Sequence, residues 1–353
     1  MPTPTWSCHP LVKLRIHERK SASMSVNWEP LRGIIDQHQR FLISSHVRPD
    51  ADALGSELAL AAILEDQDKS VRIVNPSATP SHLEFLDPQG KVNKIGKDFT
   101  VDQILDTEVH IVVDTSAWVQ LVDVGKALRQ STAKRVVIDH HMSSDNLEAV
   151  EFKDTSAEAT GALIFRMAEA LGYRVPPSVA VPLFCAIATD TGWFRFSSTT
   201  SETMRVVSRL IDLGAQPHLI YQQLYEQNSI SKVRLASRVL SRVQLECDGR
   251  LAWIQVTQKD FEATESTPVD TEDLVNETLK IAGTQAAFIA IEQLNKTIKF
   301  SLRSQRDLNV AALAEPFGGG GHKQAAGAVL PGPLDEAVTT MRTAFLKAME
   351  CDS

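Results

Sequence analysis

From Phe41 onward the chain alternates short, unbroken apolar runs with longer stretches of helical period. "FLISS" (Phe41 to Ser45), "VRIVN" (Val71 to Asn75), "HIVVD" (His110 to Asp114) and "RVVID" (Arg135 to Asp139) lack the every-other-residue alternation of a half-exposed strand. Such runs predict strands of a parallel sheet covered on both faces. Between the first two lies "DALGSELALAAILED", with Leu54, Leu58, Ala61, Ala62 and Leu64 at helical spacing. Strands alternating with helices predict a doubly wound, mainly parallel α/β domain. An amphipathic helix is expected at "SVNWEPLRGII", and helices dominate from about Thr160 to Glu246.

The pattern changes near Leu251. "LAWIQV" reads as a strand and a helix is expected over Glu272 to Ala282. "AAFIAIEQ" and "TIKFSLRS", joined by "LNK", predict a hairpin. A helix at "NVAALAEPF", a loop at "GGGG", a strand at "AAGAVL" and a helix over Leu334 to Met349 complete a smaller, mixed α+β domain. The expected division is a first domain over 24–220, a helical linker over 221–238 and a second domain over 239–350, with a cleft between the domains. Residues 1–23 read as a loose tail, or as a misplaced start with Met24 the first residue.

Composition narrows the function. At 353 residues the chain is long for one core, in keeping with two domains. A hydrophobic content of 43% and a charged content of 23% fit an ordinary globular protein. The formal charge of −8 argues against a broad surface that grips long nucleic acid, though not against a small anionic substrate. No apolar run approaches the roughly 20 residues of a membrane span, and the first 23 residues lack the apolar core of a signal peptide. Cys8, Cys185, Cys247 and Cys351 are far apart, with no CxxC pair. They read as reduced thiols of a cytoplasmic protein, with neither a zinc site nor a disulfide framework.

The polar residues able to do chemistry collect just after the strands. His46, Asp50 and Asp52 follow "FLISS", Asp114 follows "HIVV", and Asp139, His140 and His141 follow "VVI". Asp190 follows the helix "LFCAIAT". Taken singly, each has an ordinary role: Asp52 as a helix N-cap, His46 in a turn, Asp190 in an Asx-turn before Gly192. Together they emerge at the carboxyl edge of one sheet, where open α/β sheets bind ligands. That convergence predicts a metal centre. Carboxylates and imidazoles without thiolates suit Mn²⁺, Mg²⁺ or Fe²⁺. Asp50 and Asp52, two apart in an extended segment, are expected on the same side, one for each of two cations, with a further carboxylate between them. Two cations about 3.5–4 Å apart generate a bridging hydroxide and clamp an in-line displacement at phosphorus.

"HVRPDADALGS", "VVDTS", "IDHH" and "ATDTGWFRF" resemble, in this order, the four motifs of the DHH phosphoesterase family. "GGGGHKQAAGA" (Gly318 to Ala328) resembles the signature of the DHH-associated domain. The resemblance implies that His46, Asp50 and Asp114 bind one divalent cation, and Asp52, Asp114, His140 and Asp190 a second, with Asp114 bridging. It gives His141 the contact with the scissile phosphate and Asp139 the orientation of the histidine pair. Mn²⁺ is the implied metal, with Mg²⁺ or Fe²⁺ as alternatives. Arg48 stands where Asn is common and either adds a phosphate contact or faces solvent; Ser198 also departs from an expected Asn. Arg303 offers a planar fork for a phosphate, and Gly319, Gly320, Gly321 and His322 a close backbone approach. The resemblance further implies hydrolysis of short single-stranded oligonucleotides to mononucleotides, or of the nucleotide bisphosphate pAp to AMP. A cyclic-dinucleotide phosphodiesterase, a RecJ-type exonuclease and an inactive nucleotide sensor are the alternatives. No membrane partner is implied, and a homodimer is compatible with the pattern.

Overall fold

The computed structural model describes residues 26–142, 144–305 and 308–351, without the side chain of His322. The tail or misplaced start expected over 1–23 lies outside the described residues. The chain divides into two compact units between Glu226 and Gln227.

The first unit opens with α1 (Glu29–Gln37), β1 (Arg40–Ser44), α2 (Ala51–Glu65), β2 (Ser70–Asn75) and β3 (Val92–Lys94). It continues with α3 (Val101–Leu105), β4 (Val109–Val113), α4 (Trp118–Gln130), β5 (Lys134–Asp139) and β6 (Val150–Lys153). Four helices close it: α5 (Thr160–Leu171), α6 (Ala180–Asp190), α7 (Ser201–Asp212) and α8 (Pro217–Tyr225). All six strands are parallel, in the order β3-β2-β1-β4-β5-β6. The unbroken apolar runs are central strands, and every residue of β4 is buried. The strand order reverses between β1 and β4, which is where such sheets open a crevice for a ligand. Ser44 pairs with Val112 and Val113 with Ile138, so β1, β4 and β5 end level with one another.

Helix α2 is buried on nearly every face, among α5, α6 and the sheet. Gly55 makes that packing possible. A Cβ there would stand 2.3 Å from the carbonyl oxygen of Pro182 in α6. Strands β3 and β6, "VNK" and "VEFK", are short and polar, and neither is legible as a strand in the sequence.

The second unit comprises α9 (Ile230–Leu240), β7 (Gln244–Glu246), β8 (Leu251–Val256), α10 (Gln258–Thr264) and α11 (Leu274–Thr278). It ends with β9 (Ala286–Glu292), β10 (Thr297–Ser304), α12 (Val310–Ala314), β11 (Gly320–His322), β12 (Ala325–Pro331) and α13 (Leu334–Ala348). Its sheet runs β11-β12-β10-β9-β8-β7, with β8 and β9 parallel and the other pairs antiparallel. Within the stretch 221–238, α8 ends in the first unit, and α9 buries Leu235 against the core of the second.

Three expectations are corrected here. The helix over Glu272 to Ala282 shrinks to α11, preceded by Asp273 at φ +67°. The glycine run is not wholly a loop: Gly320 and Gly321 form β11 opposite Gly327 and Ala326. A Cβ on Gly319 would lie 2.2 Å from the carbonyl oxygen of Gly327, so that glycine is required by strand packing. The cysteines are not all reduced. Cys247, in the turn between β7 and β8, is bonded to Cys351 just after α13 across a sequence separation of 104. Nothing in the local sequence marks that pairing, because the fold alone brings the two thiols together. Cys185 is free and buried, and burial pushes its thiol up to about 12.

Candidate metal centre

The side chains expected to converge do so at the β1/β4 crevice of the first unit. Three groups of ligand atoms, each within 4.8 Å, are formed by His46, Asp50 and Asp114; by Asp114, His140 and His141; and by Asp52, His140 and Asp190. Like His140, Asp114 belongs to two of these groups. Its backbone takes φ +60° directly after β4, a left-handed conformation that Asp tolerates better than most residues. Its Oδ2 lies 3.4 Å from His46 Nε2 and its Oδ1 3.6 Å from His140 Nε2. The two oxygens thus face two different imidazoles.

Both imidazoles are oriented by main-chain carbonyls. His46 Nδ1 lies 3.1 Å from the oxygen of Val47, and His140 Nδ1 lies 3.2 Å from that of Ala157. This leaves each Nε2 toward the carboxylates, the usual arrangement behind a metal-binding histidine. His140 Nε2 is also 3.7 Å from Asp52 Oδ2 and 3.4 Å from Asp190 Oδ2.

Asp50 and Asp52 do not share an extended segment. Asp50 is the N-cap of α2, and its Oδ1 accepts from the N–H groups of Asp52 and Ala53 at 3.0 Å. Asp52 lies inside the first helical turn and points elsewhere. The N–H groups of Thr160 and Gly161, at the start of α5, donate to it at 2.7 and 2.8 Å. The Thr160 hydroxyl donates to Asp114 Oδ1 at 2.9 Å. Thr160 and Gly161 are not among the expected site residues, and their only mark in the sequence is a Thr-Gly pair opening a helix.

Burial, with neighbouring aspartates second, raises Asp52 and Asp114 well above the usual carboxylate range, and burial also raises Asp190. Buried carboxylates crowded in this way favour a cation among them. The donor set of oxygens and imidazole nitrogens therefore fits divalent metal ions.

His141 faces differently. Its Nδ1 is 2.9 Å from Asp139 Oδ1, which also accepts the backbone N–H of His141 at 3.0 Å. Burial pushes the Asp139 carboxyl up, but the hydrogen bonds from His141 and Ser116 outweigh it and hold the group at about 2. The bond to Asp139 in turn raises His141. Arg48 is exposed, at φ +55°, with its N–H donating to Ser77 Oγ at 3.0 Å.

Arg303 and the glycine run belong to the second unit. Arg303 is the next-to-last residue of β10 and lies opposite Ala325, the residue of β12 that also pairs with His322. It is half-buried, burial lowers its guanidinium below the usual value, and Nη1 donates to the carbonyl of Leu302 at 3.0 Å. Gly320 has open space where a Cβ would stand. The side chain of His322 lies outside the described residues.

This parallel sheet, with its His–Asp groups at the strand ends, is that of a metal-dependent phosphoesterase. Residues 40–187 match the DHH family, N-terminal domain, and residues 256–350 match the DHHA1 domain. A DHH domain and a DHHA1 domain are thus both present in the chain. It is 28% identical over 315 residues to the bifunctional oligoribonuclease and PAP phosphatase NrnA of Thermus thermophilus, covering 88% of this chain and 91% of that one. The protein of the same name from Bacillus subtilis is 27% identical, covering 83% and 90%. The crystal structure of an exopolyphosphatase-related protein from Bacteroides fragilis superposes with a TM-score of 0.85 at 28% identity, over 91% of this chain and 95% of that one.

Proposed function

We propose that this protein hydrolyses short oligonucleotides, dinucleotides included, to mononucleotides, and pAp to AMP, with two divalent cations, Mn²⁺ by preference. The observation that carries the reading is the shared carboxylate: buried Asp114 faces His46 with one oxygen and His140 with the other. In this reading His46, Asp50 and Asp114 hold one cation, and Asp52, Asp114, His140 and Asp190 hold the other. When bound, such cations lower the pKa of water and neutralise charge on phosphoryl oxygens.

The chain's own groups do the rest. Asp139 fixes the Nδ1 side of His141, which leaves Nε2 for the scissile phosphate. Arg303 and the backbone of Gly319, Gly320, Gly321 and His322 grip a further phosphate, and Arg48 lies near enough to His46 in sequence to add a contact. The substrate class follows the two relatives, whose names give oligoribonuclease and PAP phosphatase activity and whose lengths this chain spans almost entirely.

The test is Asp114→Asn assayed on a dinucleotide and on pAp with added Mn²⁺. Turnover is expected to fall by at least ~10³-fold, the scale of several kcal/mol of metal-assisted stabilisation, and bound metal to fall with it. Near-normal turnover would overturn the shared-carboxylate reading. Arg303→Ala should raise KM more than it lowers kcat, as loss of a ground-state grip does.

A further inference from the structure

Lys153 ends β6, the strand beside β5, and nothing in the proposed chemistry uses it. Only 14% of its side chain is exposed, and its ammonium lies 3.3 Å from Asp139 Oδ2. It also donates to Ser116 Oγ at 2.8 Å, and Ser116 donates to the same Oδ2 at 2.7 Å. The other oxygen, Oδ1, takes the two bonds from His141. One fully buried carboxylate is therefore held on one side by His141 and on the other by Lys153 and Ser116.

The rotation that sets the plane of an aspartate carboxylate is soft. A carboxylate held only through Oδ1 can turn and carry the imidazole with it. Loading Oδ2 with an ammonium and a hydroxyl fixes the plane, and with it the direction in which Oδ1 accepts from Nδ1. We propose that Lys153 is a positioning residue for hydrolysis, acting through Asp139 to hold the His141 ring against the scissile phosphate. The inference rests on the phosphate contact proposed for His141. A group that only tightens alignment at the reacting phosphate shows in kcat more than in KM. A lysine that merely neutralised Asp139 would show in stability instead.

The experiment uses the full chain, with Lys153→Met, Lys153→Arg, Ser116→Ala, His141→Ala and the double variant of Lys153→Met with His141→Ala. Kinetics are measured on a dinucleotide with Mn²⁺, beside melting temperature and metal content. Lys153→Met should lose ~10–100-fold in kcat, the range for a group that orients a ligand at one remove. Its KM should stay within about twofold. Lys153→Arg should recover most of the loss, and Lys153→Met should cost little more in the His141→Ala background, since the two act as one unit. In the metal-free protein, the hydrogen-bonded Nδ1 proton of His141, identified by its absence from His141→Ala, should shift in Lys153→Met. The inference is overturned if Lys153→Met keeps kcat within about twofold while His141→Ala is crippled, or if its full loss persists without His141. If His141→Ala itself turns over normally, the proposed role of His141 fails and this inference falls with it. Should Lys153→Met not fold, Ser116→Ala decides: a kcat loss at unchanged KM supports the inference, and a normal kcat refutes it.

Discussion

Glu57 shows what one residue does when the fold leaves it no water. It faces inward from α2, and its Oε2 accepts from Asn75 Nδ2 at 2.8 Å. Its Oε1 has no hydrogen-bond partner among the described residues. Burial raises its carboxyl from 4.5 to about 8, with the Asn75 bond opposing. The sign follows from proton counts. Between those two values the unfolded chain has lost the proton and the folded chain keeps it, so stability falls as pH rises through this window. Glu57→Gln removes that titration and retains the acceptor for Asn75. The variant should match wild type near pH 4.5 and become the more stable protein toward pH 8, by at most about 4 kcal/mol. Denaturant unfolding across that range checks it, and parallel stability curves would rule it out. In the sequence Glu57 is one more polar position in a helical stretch, and only its surroundings make it costly.

At the scale of elements, periodicity locates what is apolar and long. The central strands β1, β2, β4 and β5 and the helix α2 stand where their runs predict them. The edge strands β3 and β6 are missed because an edge needs no unbroken apolar run, and α11 is overestimated because the helical pattern continues past its last residue, Thr278. Helix α2 also sets a sharp steric limit. With the carbonyl oxygen of Pro182 only 2.3 Å from a Cβ at position 55, Gly55→Ala must separate α2 from α6. It should cost about 1–3 kcal/mol, as overpacking of a tight core does, and lower the melting temperature accordingly. An unchanged melting temperature would mean that the two helices part freely. The same shift would move Asp52 relative to Asp190, so activity should fall as well.

For the whole molecule, charge and covalent connection give two predictions. A chain of net charge −8 with only 6% aromatic residues has few contacts to offer along a long strand. On 5′-labelled RNAs from 2-mers to about 24-mers, kcat/KM should be highest at about two to five nucleotides and fall beyond that. Equal cleavage of the longest RNA would favour a RecJ-type activity instead. The Cys247–Cys351 bond closes a loop with a sequence separation of 104. By loop entropy such a bond contributes up to about 4–5 kcal/mol. Dithiothreitol should therefore lower the melting temperature of wild type and leave that of Cys247→Ser unmoved, and an equal response from both would remove the disulfide as a source of stability. No helix among the described residues is long and apolar enough to cross a membrane.

The sequence by itself determined the parallel sheet and the residues at its carboxyl edge. Apolar runs dictate strands, and parallel strands all end on the same side, so His46, Asp114, Asp139, His140 and His141 had to emerge together. Tertiary structure decided how those residues are held. That Asp52 turns to the start of α5 depends on a helix more than a hundred residues away, whereas the Asp50 cap on α2 is local. The clamp on Asp139 is also tertiary, since Lys153 reaches it only because β6 lies beside β5. The disulfide has the same origin. Local spacing carries hydrophobic period and strand direction, because both repeat within a few residues. Contacts between side chains distant along the chain exist only once the layers have packed.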